Sequence, residues 1–262
     1  MKKAAIITHT ADRLPMLRTM LDQLARFGPL RGWEVYLVAQ GYTRDTVAHL
    51  KALPSAGLIT DALMMPARTG PHSAKVLALH KWSADVWLTL EDDMLLLPET
   101  DWSGALHLLE QPGAGFVTSG SSTSKWQANR DMAKVYRPRS MARALVSTGG
   151  GLLFTDETAQ LVRDLPDCYY LFDDIEWSLA AYKSGRTNHK FFGSWLIHTE
   201  ASTPGRGGFK IVGKVLPDPE LLPMQYIGDS GTQVAYPLIS GLTLEAHRLN
   251  RTNKRARGWA EE

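Results

Sequence analysis

Three carboxylates stand side by side at Glu91, Asp92 and Asp93, directly behind the apolar run "VWLTL". A solvated turn after a strand often carries an acid, but three in a row are less common. Hard oxygen ligands of this kind suit Mg2+ or Mn2+. Those ions bind proteins through one or two carboxylates and complete their shell with phosphate. The chemistry implied is a divalent ion held against a diphosphate. A second acidic pair, Asp173 and Asp174, opens "DDIEWSLAAYKSG". A helix N-terminus favours ionised carboxylates. Capping alone accounts for one of the two, and the other is then placed to face a cleft and serve as a general base. His198 closes "SWLIH" as a metal ligand or a structural group. Gly149, Gly150 and Gly151 interrupt the strand-like "LVSTGGGLLFT". They mark either a bulge or backbone that a ligand can approach closely.

Such residues need a scaffold, and the apolar pattern supplies one. Residues 4–8, 33–41, 57–66 and 85–93 read as strands, the first buried on both faces. Between them, 43–53 and 70–83 read as helices, the second opened by Pro71. Asp12 is placed to cap a helix in which Leu14, Leu17, Leu21 and Leu24 form the core face. Strands alternating with helices predict a parallel α/β sheet, whose ligands sit at the carboxyl ends of the strands. The acidic run lies at that edge. Further on, 113–120 and 190–198 read as strands, and 156–165 as a helix capped by Thr155. Residues 173–185 read as a helix ended by Gly185, with Phe172, Ile175, Leu179 and Tyr182 towards the core. Residues 121–144 fit no element, and 203–219 read as a glycine-rich loop.

The 262 residues suit one large domain or one and a half, and 44% hydrophobic content gives an ample core. A net charge of +2 does not by itself demand a nucleic-acid partner. Cys168 is the only cysteine, which excludes an intrachain disulfide and a cysteine metal cluster and suits a reducing compartment. The start "MKKAAIITHT" resembles a signal peptide, but its apolar run stops at Thr8, too short for one. No apolar run approaches the roughly 18 residues of a membrane helix. The expectation is a soluble, cytoplasmic protein with no membrane partner. The chain has no G-x-x-x-x-G-K, G-x-G-x-x-G or H-E-x-x-H pattern, so three common alternatives lack support.

In this order the pieces resemble the inverting, family-2-like glycosyltransferases. The likeness covers roughly residues 4–200, through "IITHTADRLPMLRTMLDQL", "LEDDM", the glycine run before "LLFT", "FDDIEWSLAAYKSG" and "WLIH". The resemblance implies a GT-A (nucleotide-diphospho-sugar transferase) fold, with a Rossmann-like, mostly parallel central sheet flanked by helices. It implies that Asp93 binds Mn2+ or Mg2+, with His198 as a second ligand, and that Asp174 is the catalytic base. Thr8, His9, Thr10, Arg13, Gln40, Glu91 and Asp92 would contact the donor, a UDP-sugar by family habit. Gly149, Gly150, Gly151, Asp173 and Trp177 would line the acceptor side. Gln40 stands where the family often carries a base-reading Asp. Arg206, Lys210 and Lys214 would meet the diphosphate if their loop folds over it, and closure would exclude water.

Residues 1–220 are expected to form the glycosyltransferase domain, 1–112 binding the donor and 113–220 the acceptor. Residues 221–262 form a C-terminal extension with a basic tail. Lys125, Arg130, Lys134, Arg137, Arg139 and Arg143 face one acid, Asp131, with Trp126 and Tyr136 between them. Such runs are either solvated faces or footprints for a phosphate backbone. Some viral members of this general kind glycosylate hydroxymethylated bases in DNA. That makes DNA a candidate acceptor and the host cytoplasm a candidate location, alongside small polyols, lipid carriers and protein hydroxyls. A metal-dependent nucleotidyltransferase and a noncatalytic sugar- or nucleic-acid-binding module are the competing classes. The first would leave Asp174 without a role, and the second would not need both acidic clusters.

Overall fold

The computed structural model describes residues 1–67, 69–96, 102–122, 141–144, 151–165, 173–198, 226–227 and 233–234. The first half alternates as the periodicity predicts. Strand β1 (Lys3–Thr10) leads through a short 3-10 turn into α1 (Leu14–Phe27), followed by β2 (Glu34–Gln40), α2 (Arg44–Lys51), β3 (Asp61–Met65), α3 (Pro71–Lys81) and β4 (Val86–Glu91). Helix α1 buries Leu17, Met20, Leu21 and Leu24, which contribute roughly 6–12 kcal/mol of gross burial. Its N-cap is Arg13 rather than Asp12, because the 3-10 turn over Ala11–Arg13 runs straight into it. Thr43 and Thr46 open α2 with a reciprocal capping box.

Beyond β4 the chain departs from simple alternation. A tight turn at Asp92 and Asp93 starts β5 (Met94–Leu96), and α4 (Trp102–Leu109) follows. Next come β6 (Ala114–Ser122), β7 (Met141–Ala144), β8 (Leu152–Thr155), α5 (Asp156–Arg163), α6 (Asp173–Lys183) and β9 (Thr187–His198). Thr155 caps α5, its hydroxyl accepting from the Thr158 N–H at 3.3 Å. Strands β10 (Tyr226–Ile227) and β11 (Gln233–Val234) pair separately.

The main sheet runs β3-β2-β1-β4-β8-β6-β9-β5, with β7 also on β9. Six of its nine strands point the same way: β3, β2, β1, β4, β6 and β9. Strands β8, β5 and β7 run against them. The sheet is therefore mostly parallel in direction, as expected, and the antiparallel insert β8 is what the sequence did not announce. Alternate residues feed two cores. Ala5, Ile7, Leu37 and Leu88 pack with α1 and α4, whereas Ala4, Ile6, Val38 and Trp87 pack with α3, α5 and α6. Both faces are covered, so the carboxyl edge is where polar side chains can gather.

Candidate functional site

At that edge the acidic run folds back on β1. Strand β4 ends at Glu91, and the Asp92 N–H donates to the Thr8 carbonyl at 3.1 Å. Asp92 and Asp93 are each only 1% exposed. Ions so buried need partners, since desolvation costs several kcal/mol per charge. Asp92 Oδ2 accepts from His9 Nδ1 at 2.6 Å and from the Thr10 N–H at 3.3 Å. Arg13 forks across the turn, Nη1 meeting Asp92 Oδ1 at 3.1 Å and Nη2 meeting Asp93 Oδ2. Burial works against the Arg13 charge, but Asp92 and then Asp93 outweigh it and hold its pKa above the ordinary value. Glu91 is more open, its side chain 28% exposed, with the buried Lys75 Nζ 3.7 Å from Oε1.

The network continues inward. His9 Nε2 lies 2.5 Å from the Tyr42 hydroxyl. A carboxylate only accepts, so Nδ1 carries the proton towards Asp92 and Nε2 is left to accept from Tyr42. Burial first, and the Asp92 charge second, push the Tyr42 phenol up to about 12, so it keeps its proton. Tyr42, His9, Asp92, Arg13 and Asp93 thus form one buried relay from the end of β2 to the start of α1.

A second set of bonds ties the β2 edge to α6. The Gln40 Oε1 accepts from the Thr69 N–H at 2.8 Å, the Gly70 N–H at 3.1 Å and the Thr69 hydroxyl at 3.3 Å. Gly70 has φ 91°, a conformation that favours glycine, and it starts α3. Two residues on, in the first turn of α3, the buried His72 Nδ1 accepts from Trp177 Nε1 at 3.1 Å. Trp177 sits in the first half of α6 against Phe116 and Phe154. Asp174 lies three residues earlier, about 4.5 Å up the helix axis. Asp173 and Asp174 both fall in the first turn of α6, as expected.

The carboxyl edge also receives β9. Met94 pairs with His198, so the residue after Asp93 lies directly opposite the end of that strand. Gly151, buried, precedes β8 with φ 94°. Gly149, Gly150, Arg206, Lys210 and Lys214 lie outside the described residues. Among the described residues, no three His, Cys, Asp or Glu side chains converge as a metal cluster.

Four expectations change. Trp177, expected beside the acceptor, is fully buried in the core, where its ring packs and its N–H positions α3. Tyr182, expected on the core face of α6, is 49% exposed, and Ala181 takes the buried position. Arg143 pairs with His189, nine positions before His198, which sets it towards the other end of β9. Gln40 spends its carbonyl oxygen on the β3–α3 connection rather than leaving it open to a nucleobase. Tyr42, Lys75 and His72 escaped the sequence reading. Only Lys75 left a trace, a cation at helical spacing beside Ala74, Ala78 and Leu79 on an otherwise buried face.

This architecture is that of the GT-A fold. The structure of GalNAc-T7 with UDP, GalNAc and Mn2+ superposes with a TM-score of 0.57 at 12% identity, over 75% of this chain and 43% of that one. The mannosyltransferase PcManGT from Pyrobaculum calidifontis, in complex with GDP-Man and Mn2+, gives 0.58 at 17%, over 78% and 58%. TarS 1-349 of S. aureus in complex with UDP-GlcNAc gives 0.54 at 12%, over 77% and 62%. The chain therefore spans 43–62% of the length of these chains, and at such identities the likeness speaks to the fold. No curated protein matches the chain in sequence. Residues 5–171 match the profile of glycosyl transferase family 2, and the chain belongs to that family.

Proposed function

We propose that the chain is a metal-dependent inverting glycosyltransferase that moves a sugar from a nucleoside diphosphate sugar to an acceptor hydroxyl. One observation carries the reading: a buried acidic turn at the carboxyl edge, with the residue after Asp93 paired to His198. Carboxylate and imidazole are a fitting donor set for Mn2+ or Mg2+. Asp93 and His198 would hold the ion, and Mn2+ accompanies two of the similar structures. When bound, the ion supplies Lewis-acid stabilisation of the departing diphosphate. The chain's own residues do the rest. The His9–Asp92 bond fixes the turn, Glu91 faces the more open side, and Asp174 takes the proton of the attacking hydroxyl. The acceptor oxygen bonds to the anomeric carbon as the carbon–oxygen bond to the diphosphate breaks. Attack from the opposite face inverts the centre.

The donor is a UDP- or GDP-sugar, a reading supported by the GDP-Man and UDP-GlcNAc held in two of the similar structures. For the acceptor we favour DNA bearing hydroxymethylated bases, in a cytoplasmic setting. This rests on the cations at 125–139 and in the tail, Arg248, Arg251, Lys254, Arg255 and Arg257, which supply charge for a phosphate backbone. Arg143 is no longer part of that case. No helix among the described residues is long and apolar enough to cross a membrane.

Calorimetry with UDP and GDP, each with and without Mn2+, tests the metal reading. Binding should require the ion in the native chain and be lost in Asp93→Asn, which keeps the side chain's shape. Equal, ion-independent binding in both would sink it.

A further inference from the structure

The acidic turn already has its cations. Lys75 faces Glu91, and the Arg13 fork joins Asp92 to Asp93. Two carboxylates this deeply buried cannot both stay ionised without such compensation. Asp92 is also anchored by His9 and by the Thr10 N–H. An Asp93 oxygen is tied to the guanidinium of Arg13, whose side chain is 19% exposed and whose backbone ends the 3-10 turn and caps α1. Its Nε also donates to Met16 Sδ at 3.5 Å, a weak acceptor, and the side chain is not part of the face that α1 buries through Leu17, Met20, Leu21 and Leu24. A planar fork matches a phosphate as well as it matches a carboxylate.

We infer that Arg13 is a resident counterion for the metal site, which releases Asp93 to a divalent cation only when a nucleoside diphosphate offers the guanidinium another anion. The inference rests on the metal-binding reading above. It adds an order to it: ion and Arg13 compete for Asp93, so the ion binds weakly alone and tightly with the diphosphate. Exclusive competition keeps the turn's charge compensated at each stage. It also keeps Asp92 in place throughout, because its contacts with His9 and Thr10 do not depend on Arg13.

The test uses the full chain and Mn2+ titrated by calorimetry, alone and with saturating UDP or GDP. The native chain should bind Mn2+ about tenfold or more tightly with a nucleotide, a usual size for coupled sites. Arg13→Gln should bind Mn2+ alone about tenfold more tightly than the native chain and gain less from the nucleotide. Its melting temperature should be lower without metal and rise more on adding Mn2+. If Arg13→Gln binds Mn2+ alone no more tightly than the native chain, the inference is overturned. Should Arg13→Gln fail to fold, Arg13→Lys takes its place. Its single ammonium cannot fork, so Mn2+ alone should again bind more tightly, and an unchanged affinity would overturn the idea. A native chain that binds no Mn2+ even with either nucleotide would remove the metal reading itself and this inference with it.

Discussion

Replacing Tyr42 by Phe isolates the innermost link of the buried relay. The ring and its tilted contact with His9, centroids 5.4 Å apart, stay in place, so no cavity opens. What goes is the hydroxyl donating to His9 Nε2 at 2.5 Å. His9 is 1% exposed, so water does not reach the orphaned nitrogen. A buried acceptor left without its donor costs about 1–3 kcal/mol. For a chain of this size, at about 2–4 °C per kcal/mol, that is a melting-temperature drop of roughly 2–12 °C. Urea unfolding should show the midpoint shifted with an unchanged slope. The effect has a pH signature. The Tyr42 phenol is raised from 10 to about 12, so the folded state holds its proton longer than the unfolded chain. Its stabilisation is therefore complete below pH 10 and is lost as pH climbs towards 12. The gap between native and Tyr42→Phe should narrow over that window. A variant within about 0.5 kcal/mol of native at neutral pH, below the 1–3 kcal/mol scale, would refute the relay.

Gln40→Ala should cost about 1–3 kcal/mol, because the Thr69 and Gly70 N–H groups lose their acceptor at the start of α3. Hydrogen exchange should rise at those amides, and protection unchanged there would contradict the assigned role. DNA duplexes carrying 5-hydroxymethylcytosine, incubated with UDP- and GDP-sugars and digested to nucleosides, should gain the mass of one sugar on the modified base. Unmodified duplexes should not, because Asp174 then has no hydroxyl proton to take. Transfer to a small-molecule or protein hydroxyl alone would exclude DNA and leave the glycosyltransferase reading standing.

The strand–helix alternation was legible because burial on both faces writes long apolar runs such as "AAIIT" and "EVYLVAQ". The leucine face of α1 and the Thr155 cap were legible for equally local reasons. Strand β8 was legible as a strand, but not as an antiparallel insert between β4 and β6, since pairing partners are chosen by contacts distant in sequence. The acids of the site were visible from type and position alone. Their partners were not: Tyr42 reaches His9 across 33 residues and Trp177 reaches His72 across 105. Trp177 was placed on the acceptor side by family resemblance alone, whereas its neighbours in space are Phe116 and Phe154. Tyr182 fits helical spacing, but α6 presents Trp177 and Ala181 to the core instead.

The most direct test of sugar transfer is phosphorus NMR of a UDP- or GDP-sugar turning over with Mn2+ and an acceptor. The native chain should convert the sugar nucleotide to nucleoside diphosphate, with the new glycosidic bond inverted at the anomeric carbon. Asp174→Asn should bind the donor yet turn over at least about 10²-fold more slowly, the scale of general-base catalysis. Appearance of pyrophosphate or nucleoside monophosphate instead, or full activity in Asp174→Asn, would contradict the account.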